Sequence, residues 1–270
     1  KALSFQLAVV GGRAVGVPGA VRMLEAAHRR HGRLPWAQLF LPAITLAERG
    51  FAMSPRLHTL LTAESALKAD PRAATYFYGP GGQPRAVGDT LRNPALAAVL
   101  RQLAAHGSVA LHEGPVADDV VRRVRGHATN PGRLQADDLK RYAALEREPL
   151  CTDWLQHWRV CGMPPPSSGH LAVMQILGLL ERLPPVPQPL PGGTPGAELL
   201  HTYTEAARLA YADRALYVAD PAFVSPPAGG WAALLDGGYL QQRARLVGPR
   251  SMGTAPAGHP GGARRAWAAQ

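Results

Sequence analysis

Apolar positions recur along most of the chain with the spacing of one helix face, and glycines and prolines separate the periodic segments. A helix is predicted through "AVRMLEAAHRRH", with Pro18 at its start and Gly32 at its end. The next apolar run, "PWAQLFLPAITLAERG", predicts helical structure that Pro42 interrupts and Gly50 ends. The first half of the chain is therefore predicted to be a series of short amphipathic helices.

Further helices in this half begin at a capping residue or at a proline. Ser54 precedes Pro55, and Asn93 precedes Pro94, so each polar side chain is expected to accept a hydrogen bond from the first turn. A shorter helix is predicted from Pro115 to Gly126. The helix after Asn93 is predicted to place four apolar side chains on one face: Leu96, Val99, Leu100 and Leu103.

The pattern changes at about Leu145. The segment "REPLCTDWLQHWRVCGM" has aromatic and β-favouring residues and no helical stripe, which predicts two short strands within residues 146–162, around a turn near Gln156. Cys151 and Cys161 fit no metal-ligand spacing. They would pair only if adjacent strands brought them together, so free thiols are expected.

The second half is predicted to hold two longer helices, Ser168 to Leu183 and Ala197 to Tyr217. Residues 184–196, "PPVPQPLPGGTPG", are predicted to be a linker, because proline and glycine prevent regular structure. Residues 248–270 are predicted to be an extended, poorly packed tail. The second helix is predicted to carry one stripe: Leu200, Tyr203, Ala207, Ala210, Tyr211, Arg214 and Tyr217.

Composition indicates a globular protein, since 46% of residues are hydrophobic and 18% are charged. The net charge of +10 comes mostly from arginine. The arginine clusters His28–Arg33 and Arg122–Arg125 lie on amphipathic helices without a nucleic-acid-binding motif or stacking aromatic residues, so no nucleic-acid partner is expected. No apolar run reaches the roughly 18 residues of a membrane span, so none is expected.

The sequence contains no recognisable catalytic or metal-binding motif, such as GxSxG, HExxH or a phosphate-binding glycine loop. No catalytic residue, cofactor site or metal site is therefore expected from the residues alone. Histidines are scattered without spaced acidic partners, and each is interpreted as structural: His28, His31, His58, His112, His170 and His201.

Five stretches, taken in order, resemble the large subunit of the gamma-glutamyltransferase (gamma-glutamyltranspeptidase) family: "AVGVPGAV", "HRRHGRLPWAQLFLPAITLAERGF", "ADDLKRYAALEREPL", "MPPPSSGH" and "TEAARLAYADRALYVADPAFV". Their order and spacing over essentially all 270 residues make the resemblance specific. Two positions depart from the family pattern. His170 stands where the family has a second glycine after the paired serines, and Ala219 replaces the usual glycine before Asp220.

The resemblance implies an α/β fold, the αββα sandwich of N-terminal-nucleophile hydrolases. Residues 1–270 would be the mostly helical part of the large subunit, lacking its N-terminal part, within a single two-chain domain. A precursor would cut itself before a threonine of the partner small subunit, whose freed α-amine activates the threonine hydroxyl. This nucleophile would form a gamma-glutamyl ester from small-molecule substrates such as glutathione. No cofactor is implied, and the chain alone is expected to be inactive and poorly stable. The family resemblance implies a periplasmic or secreted location and leaves a cytoplasmic one open.

The resemblance places the processing site at Gln270, with the nucleophilic threonine immediately after it. Thr254 follows a glycine, but a cut there would leave too few residues to form a catalytic subunit, so it is rejected. The family's arginine that binds the substrate α-carboxylate would precede Lys1, and its role is not transferred to Arg13.

The corner Pro164–Ser168 is interpreted as a rigid buttress of the catalytic cleft, with Ser168 capping the following helix. Ser167 and Ser168 are candidate cleft-lining residues, and neither is assigned as a nucleophile.

Two other functions stay open on the sequence. The first is a cephalosporin-acylase-like amidohydrolase of the same fold, which the missing arginine would distinguish. The second is a catalytically inactive homologue acting as an interaction protein. A downstream chain beginning with a residue other than Thr, Ser or Cys would favour the second.

Overall fold

The computed structural model describes residues 4–227 and 230–262 of the chain. It divides into two compact units, residues 1–145 and 146–270. The boundary coincides with the predicted change of pattern at Leu145. That both units belong to a single two-chain domain stays a prediction of the resemblance.

Most of the regular structure described in unit 1 is helical. Short 3₁₀ turns occur at Gly12–Ala14 and Trp36–Phe40. Strands β1 (Phe51–Ala52) and β2 (Thr90–Leu91) pair antiparallel. The helices are α1 (Phe5–Val9), α2 (Ala20–His31), α3 (Leu41–Arg49), α4 (Pro55–Ala63), α5 (Ala66–Ala69), α6 (Pro71–Phe77), α7 (Pro94–His106), α8 (Val109–His112), α9 (Pro115–Arg125) and α10 (Ala136–Arg141).

Two predicted helix starts in unit 1 are confirmed by their caps. The side chain of Ser54 accepts a hydrogen bond from Leu57 N at 3.1 Å, and that of Asn93 accepts one from Leu96 N at 2.9 Å. The predicted interruption near Pro42 is confirmed, because a 3₁₀ turn ends at Phe40 and α3 begins at Leu41. Pro42 lies in the first turn of α3, where its missing N–H costs no hydrogen bond.

The buried face of α7 differs from the predicted one. Ala97 and Leu103 are buried, whereas Leu96 is 46% exposed. Ala97 packs with Ile44 and Ala47 of α3. The small side chain at position 97 allows α3 to approach closely, and this contact turns Leu96 outward.

Unit 2 begins with an antiparallel hairpin of β3 (Leu150–Trp154) and β4 (Trp158–Gly162), which confirms the predicted β element and its turn. Cys151 lies directly opposite Cys161, and the two form a disulfide. The expectation of free thiols was therefore wrong. The hairpin register brings the two residues to a Cα–Cα distance of 4.1 Å.

The described part of unit 2 also contains the helices α11 (Gly169–Leu180), α12 (Ala197–Tyr217) and α13 (Gly237–Ala244). Helix α11 ends three residues before the predicted Leu183. The linker 184–196 contains only one short 3₁₀ turn, Pro191–Gly193. A further turn spans Trp231–Leu235, and Pro260–Gly262 forms the last.

Helix α12 has the predicted bounds but a different buried face. Leu200, Tyr203 and Tyr211 are each about half exposed. The residues of α12 that are buried include two acids: Glu205, Ala206, Leu209, Ala210, Asp213 and Tyr217. Leu209 and Ala210 pack against Ile176 and Leu179 of α11 in the main apolar core of unit 2. The predicted stripe was right for Ala210 and Tyr217 and wrong for Leu200, Tyr203 and Tyr211. It left out the two acids, which are buried because they have polar partners from elsewhere in the unit.

The expectation of a poorly packed tail was wrong for residues 251–258. These residues have no long helix or strand, yet several of their backbone groups form hydrogen bonds with α12 and α13. Among residues 4–227 and 230–262, no helix has both the length and the apolar character needed to cross a bilayer.

Candidate functional site

The proline-rich corner lies between the hairpin and α11. Pro165 is buried, whereas Ser167 is exposed at the surface. Ser168 directly precedes α11, but its side chain forms no capping hydrogen bond, so the predicted cap was wrong. Its Oγ instead accepts a hydrogen bond from Arg214 Nε of α12 at 2.7 Å.

This contact limits the chemistry of Ser168. A guanidinium group stays protonated and cannot take a proton from the hydroxyl, so it does not act as the base that a serine nucleophile requires. Arg214 also lies over the ring of Tyr211, with Cζ 5.4 Å from the ring centroid. The corner is therefore tied to the exposed side of α12, which is consistent with a supporting role.

The buried side of α12 presents a carboxylate to the tail at Glu205, whose side chain is only 1% exposed. Oε2 accepts a hydrogen bond from Met252 N at 2.8 Å, and Oε1 accepts one from Ser251 Oγ at 3.1 Å. Arg208 Nε lies 3.3 Å from Oε1 and supplies the countercharge. Glu205 is thus a buried acceptor for a backbone N–H that lies 47 residues away in the sequence.

Asp213, two turns further along α12, is fully buried and accepts four hydrogen bonds. Oδ1 accepts from Arg243 Nη2 at 3.0 Å and from Gly258 N at 2.7 Å. Oδ2 accepts from Gln175 Nε2 at 2.7 Å and from the Tyr239 hydroxyl at 2.6 Å. Four donors compensate for the loss of water around this buried charge.

Tyr239 remains a donor in this network. Burial raises the pKa of Tyr239 far above its ordinary value, and the hydrogen bond to Asp213 and its negative charge raise this pKa further. The phenol is therefore protonated at any physiological pH.

Two more groups fix the tail. Arg243 Nη2 donates to Pro256 O at 2.7 Å, and the hydroxyl of Tyr217 donates to Gly258 O at 2.6 Å. We call the four side chains Glu205, Asp213, Tyr217 and Arg243 the tail clamp. Together they hold residues 252–258 along the buried side of α12.

Four of the six scattered histidines lie within hydrogen-bonding distance of backbone carbonyls, as expected for structural residues. The contacts are His28 to Leu34 O, His58 to Arg85 O, His112 to Leu139 O, and His201 to Gly248 O. His170 has a buried Nε2 without a hydrogen-bond partner. Within the described residues, no group of three or more His, Cys, Asp or Glu side chains is arranged to hold a metal ion.

The structure describes Ser167, Ser168 and the rejected Thr254, whereas Gln270 lies outside the described residues. The structure brings Ser168 to Arg214 but does not place either serine beside a catalytic partner. Sequence reasoning missed the tail clamp. Its signal was two acids eight residues apart on α12, which places them on the same side of the helix.

The gamma-glutamyltranspeptidase family model matches residues 1–268. Among curated relatives, an acylase ACY 1 proenzyme of Pseudomonas sp. (strain V22) is 36% identical over 261 residues, covering 94% of this chain and 44% of the relative. A glutathione hydrolase proenzyme of Pseudomonas aeruginosa is 33% identical over 261 residues, covering 94% of this chain and 43% of the relative. The chain thus spans less than half the length of these relatives.

The fold is also similar to that of a solved structure. The gamma-glutamyltranspeptidase of Helicobacter pylori superimposes with a TM-score of 0.80 and 29% identity, covering 94% of this chain and 71% of the other. The match of nearly every residue to one family model, together with this likeness in fold, is decisive. The chain belongs to the gamma-glutamyltranspeptidase family.

Proposed function

We propose that this chain is part of the large subunit of an enzyme that transfers or hydrolyses the gamma-glutamyl group of glutathione and related amides. The observation that carries the proposal is the family match over residues 1–268. Relatives named glutathione hydrolase proenzyme support both the substrate class and the processing step.

The nucleophile in this proposal is the N-terminal threonine of a partner small subunit from the same precursor. Its α-amine takes the hydroxyl proton, and the oxygen attacks the gamma-carbonyl carbon of the substrate. The amide bond breaks, the leaving amine takes the proton, and the gamma-glutamyl group remains as an ester. Water or an amino group then attacks the ester, which gives hydrolysis or transpeptidation. Ser168 does not compete for the role of nucleophile, since its described hydrogen-bond partner is a guanidinium group.

Processing is proposed to occur after Gln270. The hydroxyl of the next threonine attacks the Gln270 carbonyl carbon, and the C–N bond breaks as the amine takes the hydroxyl proton, which leaves an ester between Gln270 and the threonine oxygen. One water then hydrolyses this ester and restores the threonine hydroxyl. The products are a carboxylate on Gln270 and a free α-amine on the threonine. In the complete enzyme, the helices of this chain would lie outside an αββα sandwich, and the corner with Ser167 and Ser168 would buttress the cleft.

The chain is proposed to be inactive without its partner subunit. Helix α12 exposes Leu200, Tyr203 and Tyr211 by 52%, 51% and 56%. Large apolar side chains repeated along one helix are commonly covered by another part of a protein. The remainder of the precursor, which is more than half of the relatives' length, is available to cover them.

A second candidate is acylase activity on a cephalosporin amide. It is favoured by the acylase proenzyme at 36% identity, a value above the 33% of the glutathione hydrolase proenzyme. Both candidates use the same nucleophile and differ in the acyl group that the enzyme accepts.

The test uses the full-length precursor and its variant with alanine in place of the threonine after Gln270. Intact mass should show two chains for the wild type, one ending at Gln270 and one beginning with Thr, and a single uncut chain for the variant. The wild type should release p-nitroaniline from gamma-glutamyl-p-nitroanilide. Cleavage of only a glutaryl cephalosporin amide would establish the second candidate. A processed protein with neither activity would support the inactive homologue.

A further inference from the structure

We propose that the tail clamp positions the end of the large chain for self-cleavage. Glu205 and Asp213 would act as positioning residues that hold the segment leading to the cut bond. This inference rests on the proposed function, because it assumes that the precursor is cut near Gln270.

The clamp has two anchor points on one helix. Glu205 and Asp213 are eight residues apart, or about 12 Å along the axis at ~1.5 Å per residue. They accept hydrogen bonds from Met252 N and Gly258 N, respectively. The tail therefore runs in the same direction as α12. The six steps from Met252 to Gly258 follow the helix at about 2 Å per step, well short of the ~3.3 Å of an extended strand.

Both anchors are buried carboxylates that accept a hydrogen bond from a backbone N–H of the tail, and Glu205 also accepts one from the Ser251 hydroxyl. Such groups do not depend on a particular tail side chain, so they fix the path of the chain. Each carboxylate also has an arginine beside it, Arg208 for Glu205 and Arg243 for Asp213. The arginines bind the tail as well, since Arg208 donates to Gly253 O and Arg243 donates to Pro256 O. Each ion pair is therefore shared with the tail.

Gly258 is the point at which the clamp fits most closely. A Cβ at this position would lie 2.2 Å from the Tyr239 hydroxyl and 2.8 Å from Arg243 Cδ. The N–H of Gly258 binds Asp213 and its carbonyl binds Tyr217, so both sides of the residue are fixed. A side chain here would displace the tail from the network.

The expected effect on self-cleavage follows from tethering. From Gly258 to Gln270 there are twelve residues, which reach at most about 40 Å when fully extended at 3.3–3.6 Å per residue. Anchoring Gly258 confines the bond to be cut to within about 40 Å of Gly258. It also reduces the number of conformations that must be lost before the threonine hydroxyl meets the carbonyl carbon. Releasing the anchor should therefore slow processing even when the rest of unit 2 stays folded.

The experiment compares two clamp variants of the full-length precursor with two matched controls. Gly258→Ala introduces the clash, and Gly248→Ala is its control, because a Cβ at Gly248 has no atom within 4 Å. Glu205→Ala removes the first anchor, and Glu198→Ala is its control, because Glu198 is an exposed acid on the same helix. Cleavage is followed by pulse-chase synthesis, and amide hydrogen exchange is measured on precursors that also carry alanine at the nucleophile.

In the clamp variants, exchange should become faster in residues 251–260 while α11 and the rest of α12 stay protected. Their processing half-time should increase about tenfold, the change that corresponds to ~1.4 kcal/mol. Both controls should process like the wild type. If Gly258→Ala also removes protection from α12, the milder Glu205→Ala decides the question.

The proposal is overturned if the tail is released and processing keeps its wild-type rate, since the clamp is then only structural. In that case the proposed function is unaffected. If the wild-type precursor is not cut near Gln270, both the inference and the proposed function fail.

Discussion

The carboxylate of Asp213, near the C-terminal end of α12, accepts a 2.7 Å hydrogen bond from the backbone N–H of Gly258, which lies 45 residues further along the chain. The same oxygen accepts from Arg243, whose side chain is 4% exposed. One buried charge pair thus ties the C-terminal segment to the core of unit 2. Replacing either partner should affect both core stability and the order of the tail.

Asp213→Asn should strongly destabilise unit 2. The substitution leaves the buried guanidinium of Arg243 without its countercharge, and breaking such a pair typically costs about 3–5 kcal/mol. Urea unfolding of the processed protein measures the loss. Asp153→Asn is the control, because Asp153 and its partner Arg159 are both about 70% exposed and such pairs contribute little. A loss below about 1 kcal/mol for Asp213→Asn would contradict the importance of this pair.

Gly258→Ala should lower the melting temperature, and Gly248→Ala should not. The added methyl group at position 258 meets the Tyr239 hydroxyl and Arg243, and forcing extra volume into a packed site typically costs ~1–3 kcal/mol. Differential scanning calorimetry of the two variants compares them directly. Equal melting temperatures would show that the tail moves aside without cost.

Cys151 and Cys161 should resist alkylation until the protein is reduced, because they are directly opposed in the hairpin and form a disulfide. Intact mass before and after reduction, followed by iodoacetamide labelling, counts the thiols. Two labels on the non-reduced protein would contradict the pairing. The paired substitution of both cysteines by serine should also reduce stability, since a bridge across about ten residues typically contributes ~2–3 kcal/mol.

Unit 1 should become less stable in acid, because Glu25 stabilises it only when ionised. Burial alone would raise the pKa of Glu25, but the hydrogen bonds from Ser108 and the charge of Arg29 outweigh it and hold this pKa below its ordinary value of 4.5. A carboxylate with a lowered pKa stabilises the folded state fully above the unfolded pKa. This contribution is lost as the pH falls through the lower folded pKa.

The measurement is the urea midpoint between about pH 6 and pH 3 for the wild type and Glu25→Gln. The variant should be less stable at pH 6, and the difference should shrink as the pH falls below 4.5. A difference that does not change with pH would show that ionisation of Glu25 does not contribute. Ser108 N donates to Glu25 Oε2 at 3.0 Å, and the amide variant keeps an oxygen for this contact. The variant also loses the Oε1 that accepts from Arg29, so the pH dependence of the difference, and not its size, reports the ionisation of Glu25.

Several local features were predictable because nearby residues decide them. Ser54 and Asn93 lie directly before proline-started helices, and both form the expected caps. The change of pattern at Leu145 coincides with the boundary between the two units. The disulfide could also have been predicted from the sequence. A turn centred on Gln156 is equally distant from Cys151 and Cys161, so an antiparallel hairpin must place them opposite each other.

The sequence by itself determined several helix starts, the position of the hairpin and the family to which the chain belongs. Caps, prolines, glycines and short-range periodicity act over a few residues, so they can be recognised directly in the amino-acid sequence. Only the tertiary structure decided which face of α12 is buried. The acids Glu205 and Asp213 lie inside because backbone donors from Met252 and Gly258 compensate their desolvation. Those donors are more than forty residues away and carry no sequence signal of their own, since every residue except proline has the same N–H group.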